Sequence, residues 1–476
     1  MKRISMICLV LALGCGDDDV STQDVGTGVD AEVSDTGSAD GGMASTVYAF
    51  ESQFEAGVSS VSYSGQIFRH VLIDDLNAFV SGLGDAIDSG AAGLDTAAGI
   101  RASLDFYVRF DDAGLSETIR LTTTPAASQT TYEDLSSAKN LVGKLAGQDG
   151  RDHRDFTMEF AGWNSALGES TPTSPIEYLD ALLDEIARLG ELRANGEAPV
   201  GPGGEVLPPY ITADGLDLKQ LLQKFLLSAV AFSQGADDYL DEGLDSPNTQ
   251  SEGEAYSELE HAWDEGFGYY GAAQDFMLYT NDEIASEGGR DDWQGAHDSN
   301  ADGAIDLVSE RFFGASLNAA KRDRGSTSMT TMGSRAFLAF HEGRSIIASG
   351  DASPEAVARL AVARDAAVLA WEESIAATAI HYINDTIADM EAIGTDDYSF
   401  VDHAKHWSEL KGFIFAPQFN PRSPLSAADF AMVHALIQDR PVLADADTDA
   451  VIADFLTARG LLAAAYGFES ADVENW

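Results

Sequence analysis

Residues 357–393 read VARLAVARDAAVLAWEESIAATAIHYINDTIADMEAI, and this stretch decides the fold class. Thirty-seven residues run without Gly or Pro, rich in Ala and with apolar side chains at three- and four-residue spacing. That periodicity is helical, and the length predicts a helix of about ten turns. Ala-rich faces let neighbouring helices approach closely. The same spacing recurs in 66–87, 179–192, 216–240, 258–279, 337–347 and 450–466. Segments 122–131 and 196–209 read as loops from their Pro, Gly and Thr content, and 58–63 as a short extended piece. Gly-rich strand-to-helix turns are missing, and there is little β-branched alternation. The expected fold is therefore all-α, a multi-helix bundle. The region 46–476 is too long for a single four-helix bundle. Two packed bundles, 46–245 and 250–476, and one large interleaved bundle both fit the pattern.

The ends and the composition bound what such a bundle does. Lys2 and Arg3 precede an apolar run, 4–13, too short to span a bilayer, so 1–14 reads as a targeting signal. Residues 15–45 follow, an Asp-, Gly-, Ser- and Thr-rich stretch with no aromatic residue, expected to be a disordered tether. The chain has two cysteines, Cys8 and Cys15, so a folded domain beginning near residue 46 holds no thiol. Disulfide frameworks and Cys-based zinc or redox sites are excluded there. With 79 acidic against 28 basic residues the net charge is −51, a surface that repels nucleic acid.

One segment carries legible chemistry. Residues 298–310 read DSNADGAIDLVSE. Asp298, Asn300 and Asp302 alternate, so their oxygens can converge when the backbone wraps around an ion. Gly303 stands where an EF-hand-type loop needs its sharp turn, Ala304 offers a carbonyl, and Ile305 packs inward. Asp306 coordinates directly or through water. The expected ion is Ca²⁺, a hard cation that takes oxygen ligands. The standard loop closes with Glu at its twelfth position. Here Ser309 holds that place and Glu310 follows it, so a one-residue slip is needed to bring Glu310 in. A helix is expected over 307–318. An ion-free acidic turn capping that helix is the alternative.

Glu258, His261 and Glu265 share a helical face, as do His406 and Glu409. Glu-x-x-His on facing helices is how two-metal carboxylate bundles are built. Two readings stay open. His261, Glu265, His406 and Glu409 form a second site for a transition metal such as iron or zinc, or they are buried fasteners hydrogen-bonded across helices. The segment 151–155, RDHRD, reads as an ion-pair cluster at a helix start. His341-Glu342 lacks the second His of a metalloprotease signature, since position 345 is Ser345. Nucleophile elbows, Walker loops and dinucleotide fingerprints are missing as well.

Two resemblances add to this. Ala12-Leu13-Gly14-Cys15 resembles the lipobox of bacterial lipoproteins, which implies cleavage before Cys15 and its acylation. By analogy with lipoprotein sorting, Gly16 after the Cys implies the outer membrane. The segments VSYSGQIFR (61–69), HAWDEGFG (261–268), LNAAKRD (317–323) and HWSELKGF (406–413) resemble an uncharacterised bacterial lipoprotein family similar to imelysins. Imelysins are all-α envelope proteins linked to iron uptake. Their Gly-x-His-x-x-Glu motif is not matched: Ala339 replaces the Gly before His341, and no Gly precedes His406-x-x-Glu409. The combined expectation is a lipid-anchored cell-envelope protein that binds Ca²⁺ and serves as a ligand-binding or docking module for a ligand or another envelope protein. An imelysin-like metal-dependent hydrolase and a structural envelope component are the other two readings.

Overall fold

The computed structural model describes residues 46–285, 296–443 and 448–476. The signal, Cys15 and the tether expected over 15–45 lie outside the described residues. Fourteen α-helices are present among them: α1 Ser64–Asp88, α2 Ala97–Val108, α3 Phe156–Glu159, α4 Pro175–Ala194, α5 Leu218–Leu226, α6 Glu258–Tyr270, α7 Asn281–Ile284, α8 Gly314–Arg324, α9 Met332–Ala348, α10 Pro354–Ala392, α11 Phe400–Phe413, α12 Ala427–Ile437, α13 Thr448–Tyr466 and α14 Ser470–Asn475. Extended pairing among the described residues is confined to isolated bridges. The fold is an all-α multi-helix bundle, as the periodicity predicts. No helix of the described residues is long and apolar enough to cross a membrane.

Helix α10 is the central pillar. Ser353 caps it by accepting from the Ala356 amide, and Pro354 occupies the first turn, where a missing N–H costs nothing. From Ala370 to Ile380 every residue is buried. A helix enclosed on all sides must satisfy its polar groups internally. Accordingly Thr378 and Thr386 donate to carbonyls one turn back. Glu372, fully buried, accepts from Asn420, Ser423 and the Tyr466 hydroxyl. Helices α8, α9, α11, α13 and α14 pack around α10. Helix α1 packs against α2, α4, α5 and α6, and α5 packs on α11. One apolar core thus runs from Tyr48 to Trp476 and draws on both halves of the chain.

Two boundaries differ from the periodic reading. The helix expected over 258–279 stops at Tyr270, because Gly271 turns left-handed at φ +80°. A Cβ there would fall 2.7 Å from the Phe313 carbonyl oxygen. The helix expected over 307–318 starts only at Gly314. Phe312 and Phe313 are both buried, and Phe313 donates its amide to the Gly271 carbonyl from extended backbone. Burying two adjacent aromatic residues from an extended strand, which points them to opposite sides, defeats the local helical pattern.

The span 216–240 is helical, but after α5 it widens to i→i+5 hydrogen bonding over Leu227–Phe232 and Gln234–Tyr239. Such widening is rare and usually confined to one turn. It faces α6 and the core of α1.

His70 on α1 is a buried imidazole, its Nε2 donating to the Tyr269 carbonyl at 3.1 Å. Burial, outweighing the Tyr269 and Gly268 carbonyls, pulls its pKa down to about 4. The unfolded value is about 6.5. A base whose folded pKa is depressed contributes its full stability above the unfolded value, and loses it as pH falls from there through the folded one. His70→Gln keeps a donor and does not titrate. In denaturant titrations at pH 7, 5.5 and 4, wild type should lose stability relative to His70→Gln on acidification. An unchanged difference across the series refutes this.

Candidate functional site

The loop 298–310 is built on Asx turns. Asp298 accepts from the amides of Asp302 at 3.0 Å and Gly303 at 2.9 Å. Asn300 accepts from Asp302 at 2.8 Å, and Asp302 from Ala304 at 2.9 Å. These bonds wind the chain tightly enough that Ala301 sits at φ +60° and Gly303 at φ +92°. Gly303 is therefore the residue that the turn requires. Ile305 is fully buried, and its backbone exchanges hydrogen bonds with Ala126 and Ser128 at 3.1 and 2.8 Å. The loop is thereby fastened to segment 122–131. Asp306 accepts from the Val308 amide, the Gln129 side chain and the Ser309 hydroxyl.

Glu310, one place beyond the standard closing position, turns back into the loop. One carboxylate oxygen accepts from Ser299, main chain and hydroxyl, and from the Asn300 amide; the other accepts from the Asp306 amide at 2.8 Å. It thus joins both ends of the loop while only 2% exposed. Asn300, Asp302 and Gly303 face solvent. A further acid stands behind them. Asp275 is 6% exposed, and its carboxyl is pushed up to about 6, first by burial and then by Glu310. The loop carboxylates are turned to backbone amides rather than gathered on one point.

The structure assigns the His and Glu residues to separate partners. The His261 ring bonds the Ser62 carbonyl at 3.0 Å, lies 3.7 Å from Glu265 and stacks on Tyr256. Glu265 also accepts from Gln66 at 2.6 Å. His406 pairs with Asp389 on α10 at 2.8 Å. Burial opposes its protonation, yet the hydrogen bond and charge of Asp389 prevail and hold its pKa above the ordinary imidazole value. Glu409 pairs instead with Lys224 on α5 at 3.1 Å. Glu258, which shares the helical face, is exposed. Only His261 and Glu265 are neighbours. The internally bonded acids of α6 are Glu260 and Asp264, which hold the buried Arg344 of α9 at 2.8 and 2.9 Å.

Among the described residues, one group of metal-ligating side chains converges: Asp149, Asp152 and Asp238 offer oxygens all within 4.8 Å of one another. Asp152 belongs to the stretch read as an ion-pair cluster. In that stretch His153 does pair with Asp237 at 2.7 Å, and Asp155 caps α3. The local hint to the convergence was the acid pair Asp237-Asp238 inside a span that is otherwise buried. Its partners stand far upstream in a loop, and only packing brings them together.

No curated protein and no solved structure matches the chain. The model of one family, described as "Domain of unknown function (DUF4856)", matches residues 173–461, which include the loop, α6, α9, α10 and α11. That match spans more than half of the sequence, and the chain belongs to this family.

Proposed function

We propose that this protein is a lipid-anchored cell-envelope module whose helical body binds Ca²⁺ through the loop 298–310 and presents a ligand-binding or docking surface. The observation that supports it most is the loop itself. An all-oxygen donor set of Asp298, Asn300, Asp302, the Ala304 carbonyl, Asp306 and Glu310 sits on a turn wound at Gly303. Hard cations of the Ca²⁺ kind take six to eight such oxygens. The donors are of the chemical kind that this ion takes, and Glu310 is already folded against both ends of the loop; binding requires the other carboxylates to turn from the backbone amides to the ion. An ion there offsets the mutual repulsion of four carboxylates. Since Ile305 is bonded to 126–128, ordering the loop also braces that segment. Anchoring is carried by the lipobox-like Ala12–Cys15; each acyl methylene buried in a bilayer contributes roughly 0.8 kcal/mol. The −51 charge leaves nucleic acid out as a partner.

Calorimetric titration of chelator-stripped protein tests the ion. Wild type should bind one more equivalent of Ca²⁺ than Asp302→Ala. A hundredfold excess over Kd should stabilise it by about 2.7 kcal/mol relative to the stripped form. Equal stoichiometry and affinity in the two proteins overturns the calcium reading. Fractionation tests the anchor: Cys15→Ala should move the protein from membranes to the soluble fraction. A mature N-terminus at another residue, without lipid, overturns it.

A further inference from the structure

The converging acids Asp149, Asp152 and Asp238 lie where the turn 147–152 meets the widened part of the helix after α5. Asp152 accepts from the Gly147 amide at 2.7 Å. Asp149 accepts from the Arg151 amide at 3.3 Å and lies 3.5 Å from the Lys144 ammonium. Neighbouring Asp237 is spent on His153, whose main-chain and ring nitrogens it accepts at 3.0 and 2.7 Å.

An observation independent of the acids points to a ligand. Gln234 is fully buried, and its amide is set between two carboxylates, with Nε2 at 2.7 Å from both Asp149 and Asp238. Its carbonyl oxygen, equally buried, has no partner. Asp152 and Asp238 each hold a further buried oxygen without one. Three orphaned acceptors on the residues of one cluster are costly in a protein interior, where nearly every buried polar atom is bonded. Donors in short supply and acceptors in excess are what a cation corrects. Half a turn of the Gln234 amide exchanges its nitrogen for the oxygen and adds a fourth oxygen ligand. Gln234 and Asp238, four residues apart, leave the helix on one side, where Gln234 meets Asp149.

We propose that Asp149, Asp152, Asp238 and the Gln234 amide hold a hard divalent cation of the Ca²⁺, Mg²⁺ and Mn²⁺ class. The donors are all oxygens, with neither thiolate nor imidazole among them, which selects against soft and borderline metals. Exposed Gly150 and Arg151 leave the outer side of the site open to solvent and to waters that complete the coordination. The site is separate from the loop 298–310 in its residues and its elements.

Mn²⁺ is the probe, with bound and free ion counted by electron paramagnetic resonance. The parent protein is the full chain carrying Asp302→Ala, stripped with chelator, so that the loop contributes nothing. It should bind one Mn²⁺, displaced by Ca²⁺ or Mg²⁺, and the ion should raise its Tm. Adding Asp238→Asn should weaken binding at least tenfold and abolish the Tm rise. That exchange preserves shape and relieves repulsion, so the variant is expected to fold. Asp152→Asn, at a less buried position, should weaken binding to a similar degree. If the parent binds no Mn²⁺, the cluster is an acid group sharing protons and the proposal fails. It fails equally if both variants bind as the parent does.

Discussion

Arg344→Met should destabilise the protein by about 3–5 kcal/mol, the range for stripping one partner from a buried ion pair. Arg344 on α9 is completely buried, as are its two acids on α6. Its Nη1 donates to Glu260 at 2.8 Å, its Nε to Asp264 at 2.9 Å, and its Nη2 to the Ser60 hydroxyl at 2.6 Å. Asp264 also accepts from the Tyr48 hydroxyl and the Ser62 amide, so one guanidinium ties the segment before α1 to two helices. Burial drives the Asp264 carboxyl up to about 6, with Arg344 working against it. Without Arg344, two carboxylates remain in the core with no cation. Denaturant unfolding should show the loss. Arg344→Lys should recover only part of it, since a point charge cannot supply the guanidinium's three directions. Adding Glu260→Gln and Asp264→Asn to Arg344→Met should recover more, because the stranded charges go with the cation. An Arg344→Met protein within ~1 kcal/mol of wild type would refute this account, that being the scale of a surface pair.

Gly343→Ala should lower stability by about 3 kcal/mol, the upper end of the range for overpacking a core. A Cβ at this point of α9 would fall 1.9 Å from Cζ2 of Trp263. That indole is fully buried and fixed by its Nε1–H donating to the Phe340 carbonyl at 2.9 Å, so it has no room to swing away. Helix propensity argues the other way, since Ala is favoured over Gly by about 1 kcal/mol in a helix interior. Gly460 on α13 is the control: it is exposed, with nothing within 4 Å of an added Cβ. Gly460→Ala should gain about 0.5–1 kcal/mol. Thermal melts of the two variants decide it. Shifts of the same sign would mean that packing against Trp263 does not govern position 343.

Some of this molecule is written locally, and there the sequence sufficed. A run of 37 residues without a helix breaker, a Ser-Pro start and a three- to four-residue apolar period specify α10, because all three act between residues a turn apart. The Asx turns of 298–304 are equally local, so Asp, Asn and Gly at fixed offsets were enough to forecast a tightly wound acidic loop. Tertiary packing decided the rest. It ended α6 at Gly271 and delayed α8 to Gly314, because Phe312 and Phe313 gain more from the core than from another helical turn. His406 found Asp389 and Glu409 found Lys224, although spacing put the two on one face. Asp149 and Asp238 stand next to each other because the turn 147–152 packs on the helix that follows α5. A three-residue offset fixes which side of a helix a carboxylate leaves from. What it meets there is set by chain tens to hundreds of residues away, whose position depends on the whole core.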